Sequence, residues 1–174
     1  MSQDRQRFEA LALPHMDAAY NLARWLAGSQ ADAEDVVQEA MLRAFRAFDG
    51  ARVENVKPWL LTIVRNCWRN RAADERRRGQ APLPEEDEGP LIFEGPDPEA
   101  EALRASDRRR LDAIIAGLPQ EFREVLVLRE MEDMSYREIA EATGAPIGTV
   151  MSRLARARTM LKAQWLERAC DVLP

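Results

Sequence analysis

Cysteine and histidine are almost missing from this chain, with two of the former and one of the latter in 174 residues. Cys67 and Cys170 fall in different parts of the sequence, so a structural disulfide is not expected, and His15 has no companion to complete a zinc-type ligand set. Neither a metal nor a cofactor is expected. Long apolar runs are lacking as well: the N-terminal MSQDRQRFEALAL has no signal-peptide core and no segment long enough to span a bilayer. That predicts a cytoplasmic chain without membrane insertion. Also missing are a nucleophile paired with a base, a glycine-rich phosphate loop and a metal cluster, which argues against an enzyme. With no strand-period alternation and no internal repeat, the expected fold is all-α, built as two small helical domains.

The formal net charge of −5 argues against a nucleic-acid partner until its distribution is considered. Residues 79–105 hold eight acids and one base, Arg104, together with Pro82, Pro84, Pro90, Pro96 and Pro98. This composition predicts a flexible linker. Setting it aside leaves the remainder at +2, with Lys57–Arg78 carrying seven basic residues against Asp74 and Glu75. A second basic run, Thr149–Lys162, contains Arg153, Arg156, Arg158 and Lys162 and no acid. Basic surface is therefore concentrated in two places, and because ordinary solvated helices mix signs, the acid-free second run points to an anionic contact.

The second run belongs to SYREIAEATGAPIGTVMSRLARAR, which reads as two short helices joined by a tight turn. Ser135 and Glu138 have the spacing of a capping box. Gly144 suits a left-handed helix end, and Pro146 the opening position of the next helix. Beyond it Val150, Leu154, Ala157 and Leu161 form a buried stripe, leaving Thr149, Ser152, Arg153 and Arg156 on another face. Hydroxyls and guanidinium groups on one helix face suit the edges of bases in a DNA major groove.

Upstream, Phe8, Leu11 and Ala12 begin an apolar stripe that Pro14 interrupts, and a second helix ends at Gly28. A third is expected from about Asp32, capped by that carboxylate, with Val36, Val37, Ala40, Met41, Ala44 and Phe45 in the core. Pro58 opens a long helix whose apolar side is Trp59, Leu60, Ile63, Val64, Cys67 and Trp68. Its other side carries Thr62, Arg65, Asn66, Arg69 and Asn70, able to meet phosphates and base edges or simply to face solvent. After the linker, Leu111, Ile114 and Ile115 mark a short helix stopped by Gly117, and Pro119 opens another with Phe122, Val125, Leu126 and Leu128.

In this order, DAEDVVQEAMLRAF, WLLTIVRNCWRNRAADERRR and the block from Leu118 to Arg158 resemble the extracytoplasmic-function class of bacterial sigma factors of the sigma-70 family. The resemblance covers nearly the whole chain. It implies residues 1–78 as a region 2 domain, 79–105 as the acidic linker and 106–170 as a region 4 domain. It assigns Asp35, Gln38, Glu39 and Arg43 to the clamp helices of core RNA polymerase. Arg65, Asn66, Arg69 and Asn70 fall where relatives read the minus-ten element, the loop Asp49–Asn55 where they receive a flipped base, and Arg76, Arg77 and Arg78 where phosphates pass. Thr149, Ser152, Arg153 and Arg156 would read the minus-thirty-five element, and Arg158 would make a phosphate or structural contact. Relatives often carry a basic residue where this chain has Met151.

The implied activity is promoter-specific initiation with core polymerase and promoter DNA as partners, and an anti-sigma factor as a regulator. Two other readings compete: a sigma-like mimic that sequesters an anti-sigma factor, and a stand-alone helix-turn-helix regulator. The basic residues at both reading positions favour the working sigma factor over the mimic. The N-terminal motifs have no place in the stand-alone regulator.

Overall fold

The computed structural model describes residues 3–48, 53–79 and 98–170, and every regular element among them is helical. Residues 80–97 of the expected linker and 49–52 of the expected base-receiving loop lie outside the described residues.

Helix α1 (Gln3–Ala12) passes through a 3-10 turn (Leu13–His15) into α2 (Met16–Ala27). The turn sits at Pro14, which cannot donate a helical hydrogen bond. Gly28 ends α2 in the left-handed region at φ 80°, its N–H donating to the Arg24 carbonyl at 3.0 Å. Helix α3 (Gln30–Ala47) begins before the expected Asp32, because Ser29 is the cap: its Oγ accepts from the Asp32 N–H at 3.1 Å and donates to the Asp32 carboxylate at 2.8 Å. Asp32 still meets the helix dipole, from inside the first turn. Helix α4 (Val56–Arg77) has Pro58 in its first turn.

Helix α5 (Pro98–Gly117) starts earlier than expected, so residues 98–105, anticipated as linker, are helical. Helix α6 (Gln120–Leu126) widens into a π-helical turn (Val127–Met131). Helix α7 (Tyr136–Thr143) opens with the expected capping box: Ser135 Oγ accepts from the Glu138 N–H at 3.2 Å and the Glu138 carboxylate accepts from the Ser135 N–H at 2.8 Å. Gly144 closes α7 at φ 67°. Helix α8 (Ile147–Cys170) follows, with the Pro146 carbonyl accepting its first bonds from Thr149 and Val150, so Pro146 is the cap and Ile147 the first helical residue.

Helices α2, α3 and α4 pack on one another, and α8 packs on α6 and α7. The two groups are joined: α4 rests on α7 and α2 on α6, and one continuous cluster of buried apolar side chains runs through both. Leu22, Val36, Leu60 and Val64 are at its N-terminal end, and Leu128, Ile139, Val150 and Leu154 at its C-terminal end. Burying each such side chain contributes about 1.5–3 kcal/mol against exposure. Several expected core positions are not fully buried: Trp59, Ile63, Leu111, Phe122 and Leu161 are half-buried against the cluster. Leu11 and Phe45 are exposed and Met41 is half-buried, because α1 and α2 leave part of α3 uncovered. No helix among the described residues is long and apolar enough to cross a membrane.

Candidate nucleic-acid interface

Helix α8 presents the hydroxyl and guanidinium face that its spacing predicts. Ser152 and Arg156 are exposed, Thr149 and Arg153 half-buried, and the buried stripe of Val150, Leu154 and Ala157 anchors the helix from behind. Ser152 Oγ donates to the Thr149 carbonyl at 3.0 Å, and Arg153 lies 3.3 Å from the Glu121 carboxylate. Met151 is 52% exposed, so its thioether chain stands on the outer surface beside Ser152. Arg158 is held by Glu130, with its Nε at 3.0 Å and Nη2 at 2.5 Å, and this pair raises its pKa. The pair links α8 to the π-helical turn at the exposed surface.

On α4 the expected face divides. Asn66, Arg69 and Asn70 are exposed, as are Arg76, Arg77 and Arg78, with Arg77 only loosely paired to Asp74 at 3.5 Å. Arg65, in contrast, is 7% exposed. Its Nε donates to Glu124 Oε1 in a very short contact, its Nη2 to Glu124 Oε2 at 3.4 Å and its Nη1 to the Ala142 carbonyl at 3.2 Å. Leu61, one turn earlier, is buried too. The covered sector of α4 is thus wider than its apolar stripe, because α6 and α7 supply polar partners for a guanidinium group. Arg71 is also occupied: it donates to Asp32, to Asp35 at 2.9 Å and to Glu75 at 3.0 Å, which ties α4 to α3. The bond to Asp35 leads the causes that raise its pKa.

The four residues expected to meet polymerase lie together on the outer side of α3. Asp35, Gln38, Glu39 and Arg43 are all exposed, Arg43 donating to Glu39 at 2.6 Å. Beside them, sequence reasoning missed an apolar groove of about 810 Å³ between α1, α2 and α3. Its rim includes Leu13, Leu42 and Phe45, exposed by 55%, 49% and 43%. Apolar side chains clustered next to a polar stripe form the usual anatomy of a protein interface. The signal was present at Leu42, which sits outside the buried stripe of α3. Cys67 lies buried between α3 and α4, where desolvation pushes its thiol pKa up and keeps it protonated. Among the described residues no group of three or more cysteine, histidine or acidic side chains is placed to hold a metal ion.

Two family descriptions match this chain: Sigma-70 region 2 over residues 11–78 and Sigma-70, region 4 over residues 108–161. The ECF RNA polymerase sigma factor SigE of Mycolicibacterium smegmatis is 35% identical over 155 residues, which are 89% of this chain and 60% of that protein. The chain therefore spans less than two thirds of that relative. The ECF RNA polymerase sigma-E factor of Haemophilus influenzae is 33% identical over 91% of this chain and 87% of its own length. Among solved structures, the sigma factor RpoE of Bartonella quintana, in complex with the anti-sigma factor NepR, superposes with a TM-score of 0.71 at 25% identity. That match covers 91% of this chain and 96% of RpoE. CnrH, in complex with the cytosolic domain of CnrY, gives 0.60 at 28% identity over 90% of this chain and 85% of CnrH. With both sigma-70 regions in order and full-length relatives above 30% identity, the chain belongs to the ECF RNA polymerase sigma factors.

Proposed function

We propose that this chain is a non-enzymatic, cytoplasmic initiation factor that docks on core RNA polymerase and places two separate DNA-reading faces on one promoter. The observation that carries the reading is the presence, on one chain, of two exposed basic helix faces and one apolar groove edged with acids. The unit 1–78 holds the groove and one face, and 106–170 holds the other, with 79–105 between them. Asp35, Gln38, Glu39 and Arg43, with Leu42 and Phe45, meet the clamp of polymerase. Asn66, Arg69 and Asn70, joined by Arg65 once it is released, take the nontemplate strand of the minus-ten element, and Arg76 and Arg77 follow its phosphates. Flipping a base from the stack costs a few kcal/mol, which a pocket and a single-strand path together offset. Thr149, Ser152, Arg153 and Arg156 enter the major groove of the minus-thirty-five element.

Neither face needs to bind tightly alone, since tethering both to one polymerase raises the effective concentration of the second contact. The Bartonella relative bound to an anti-sigma factor supports a regulator of that kind for this chain as well. Run-off transcription tests the reading: chain plus core polymerase starts at specific promoters of a genomic library, and neither does so alone. Intact core binding without any promoter use would indicate the mimic instead.

A further inference from the structure

Helix α8 leaves apolar side chains uncovered on the same turns that carry its reading residues. Ile147 is 47% exposed and Met151 52%, and Ala155 is exposed as well. Spaced four residues apart, the three form one strip along the opening turns of the helix, beside Ser152 and Arg156. The strip is not a spill-over of the core, since Val150, Leu154 and Ala157 already anchor α8 from behind and the apolar groove lies on α1, α2 and α3. Gly148 stands next to it. A β-carbon there would meet nothing within 4 Å, so packing inside the chain does not require glycine, although glycine weakens a helix. A first turn kept this low lets an outside body approach the backbone closely.

We infer that Met151 is a specificity-determining residue: its thioether chain, flanked by Ile147 and Ala155, packs on the 5-methyl group of a thymine in the minus-thirty-five element. The inference rests on the reading of α8 as the major-groove helix. Of the four bases only thymine shows a methyl group in that groove, whereas adenine, guanine and cytosine show amino groups, ring nitrogens or a carbonyl oxygen. A thioether laid on those polar atoms would take them from water without a partner. The same side chain thus favours thymine and penalises the other bases. The charge pattern agrees, because Thr149–Lys162 holds four basic residues and no acid, and a neutral side chain at position 151 adds nothing to that sequence-independent attraction for phosphates. What Met151 contributes therefore depends on the base it covers. Methionine suits the contact, being unbranched and able to settle on a methyl group from several directions.

The test uses holoenzyme, the full chain with core polymerase, on a promoter mapped by run-off transcription and then randomised across its minus-thirty-five element. Bound sequences are compared for the wild-type chain and Met151→Ala, a surface substitution that leaves the core of the helical group untouched. Wild type is expected to select thymine at one position where the variant accepts any base, with the other positions selected alike by both. Deoxyuridine in place of that thymine removes only the methyl group. Wild-type holoenzyme should bind the substituted promoter roughly fourfold more weakly, the factor that corresponds to one buried methyl group, and Met151→Ala should bind both promoters equally. A thymine preference that survives Met151→Ala, or a wild-type chain indifferent to the missing methyl group, overturns the contact and leaves α8 as the reader of the element. Absence of any base preference across the element in the wild-type chain removes the major-groove reading of α8, and the inference with it.

Discussion

Arg156 and Arg153 sit one turn apart on α8 but start from different states. Arg156 is exposed and carries no ion pair among the described residues, whereas Arg153 is half-buried beside Glu121. A good bidentate contact to a base edge is worth about 1–3 kcal/mol of discrimination. Arg156→Ala is therefore expected to weaken promoter binding by about that amount, and Arg153→Ala by less, because Arg153 gives up Glu121 in order to reach DNA. Together the two substitutions should impair promoter binding by the holoenzyme while leaving association with core polymerase unchanged. Mobility shifts with holoenzyme and a core pull-down check both halves. Unaltered promoter binding would remove the assigned face from α8. At Arg156→Lys, where charge survives but the planar fork is lost, the salt dependence should persist while sequence preference fades.

Helix α7 has only eight residues, so its ends weigh heavily in its stability. Ser135→Ala removes one half of the capping box and should lower the stability of the chain by about 1 kcal/mol, read as a fall in the thermal unfolding midpoint. A β-carbon at Gly144 would meet nothing within 4 Å, so Gly144→Ala carries only the conformational cost of φ 67°, about 1 kcal/mol. A loss several times larger in either case would mean that α7 is fixed by something other than its own ends. These signals were readable from sequence because they are local: a cap, a glycine and a stripe each act within a few residues. The start of α3 was misplaced for a related reason, since Ser29 and Asp32 are both able to cap and only the chain path selects Ser29. Arg65 is the opposite case. On its own helix it belongs to a polar face, and nothing within a few residues announces that Glu124, 59 positions away, covers it. Phe45 likewise has core chemistry and core spacing, yet the edge-on contact with Phe8 of α1, 5.3 Å between ring centroids, leaves it 43% exposed, and the groove it edges was invisible until α1, α2 and α3 were in place.

The continuous core has a consequence for the whole chain. Two domains joined only by a tether unfold independently, in two transitions or in one that is broader than a single cooperative unit allows. Here α4 packs on α7 and α2 on α6, and the apolar cluster has no break between the groups. Calorimetry of the free chain should then show one transition whose calorimetric and van't Hoff enthalpies agree. Glu124→Gln leaves the Arg65 guanidinium facing a neutral partner in a buried joint. Breaking a buried pair in this way costs about 3–5 kcal/mol when the charge cannot escape. Were α4 to part from α6 and α7, Arg65 would return to water with the helices themselves intact. The loss should therefore appear as a splitting of the single transition into two, with the helix content at low temperature unchanged, rather than as a uniform downward shift. A uniform shift would show that the joint is an ordinary piece of core, with the two groups unable to exist apart.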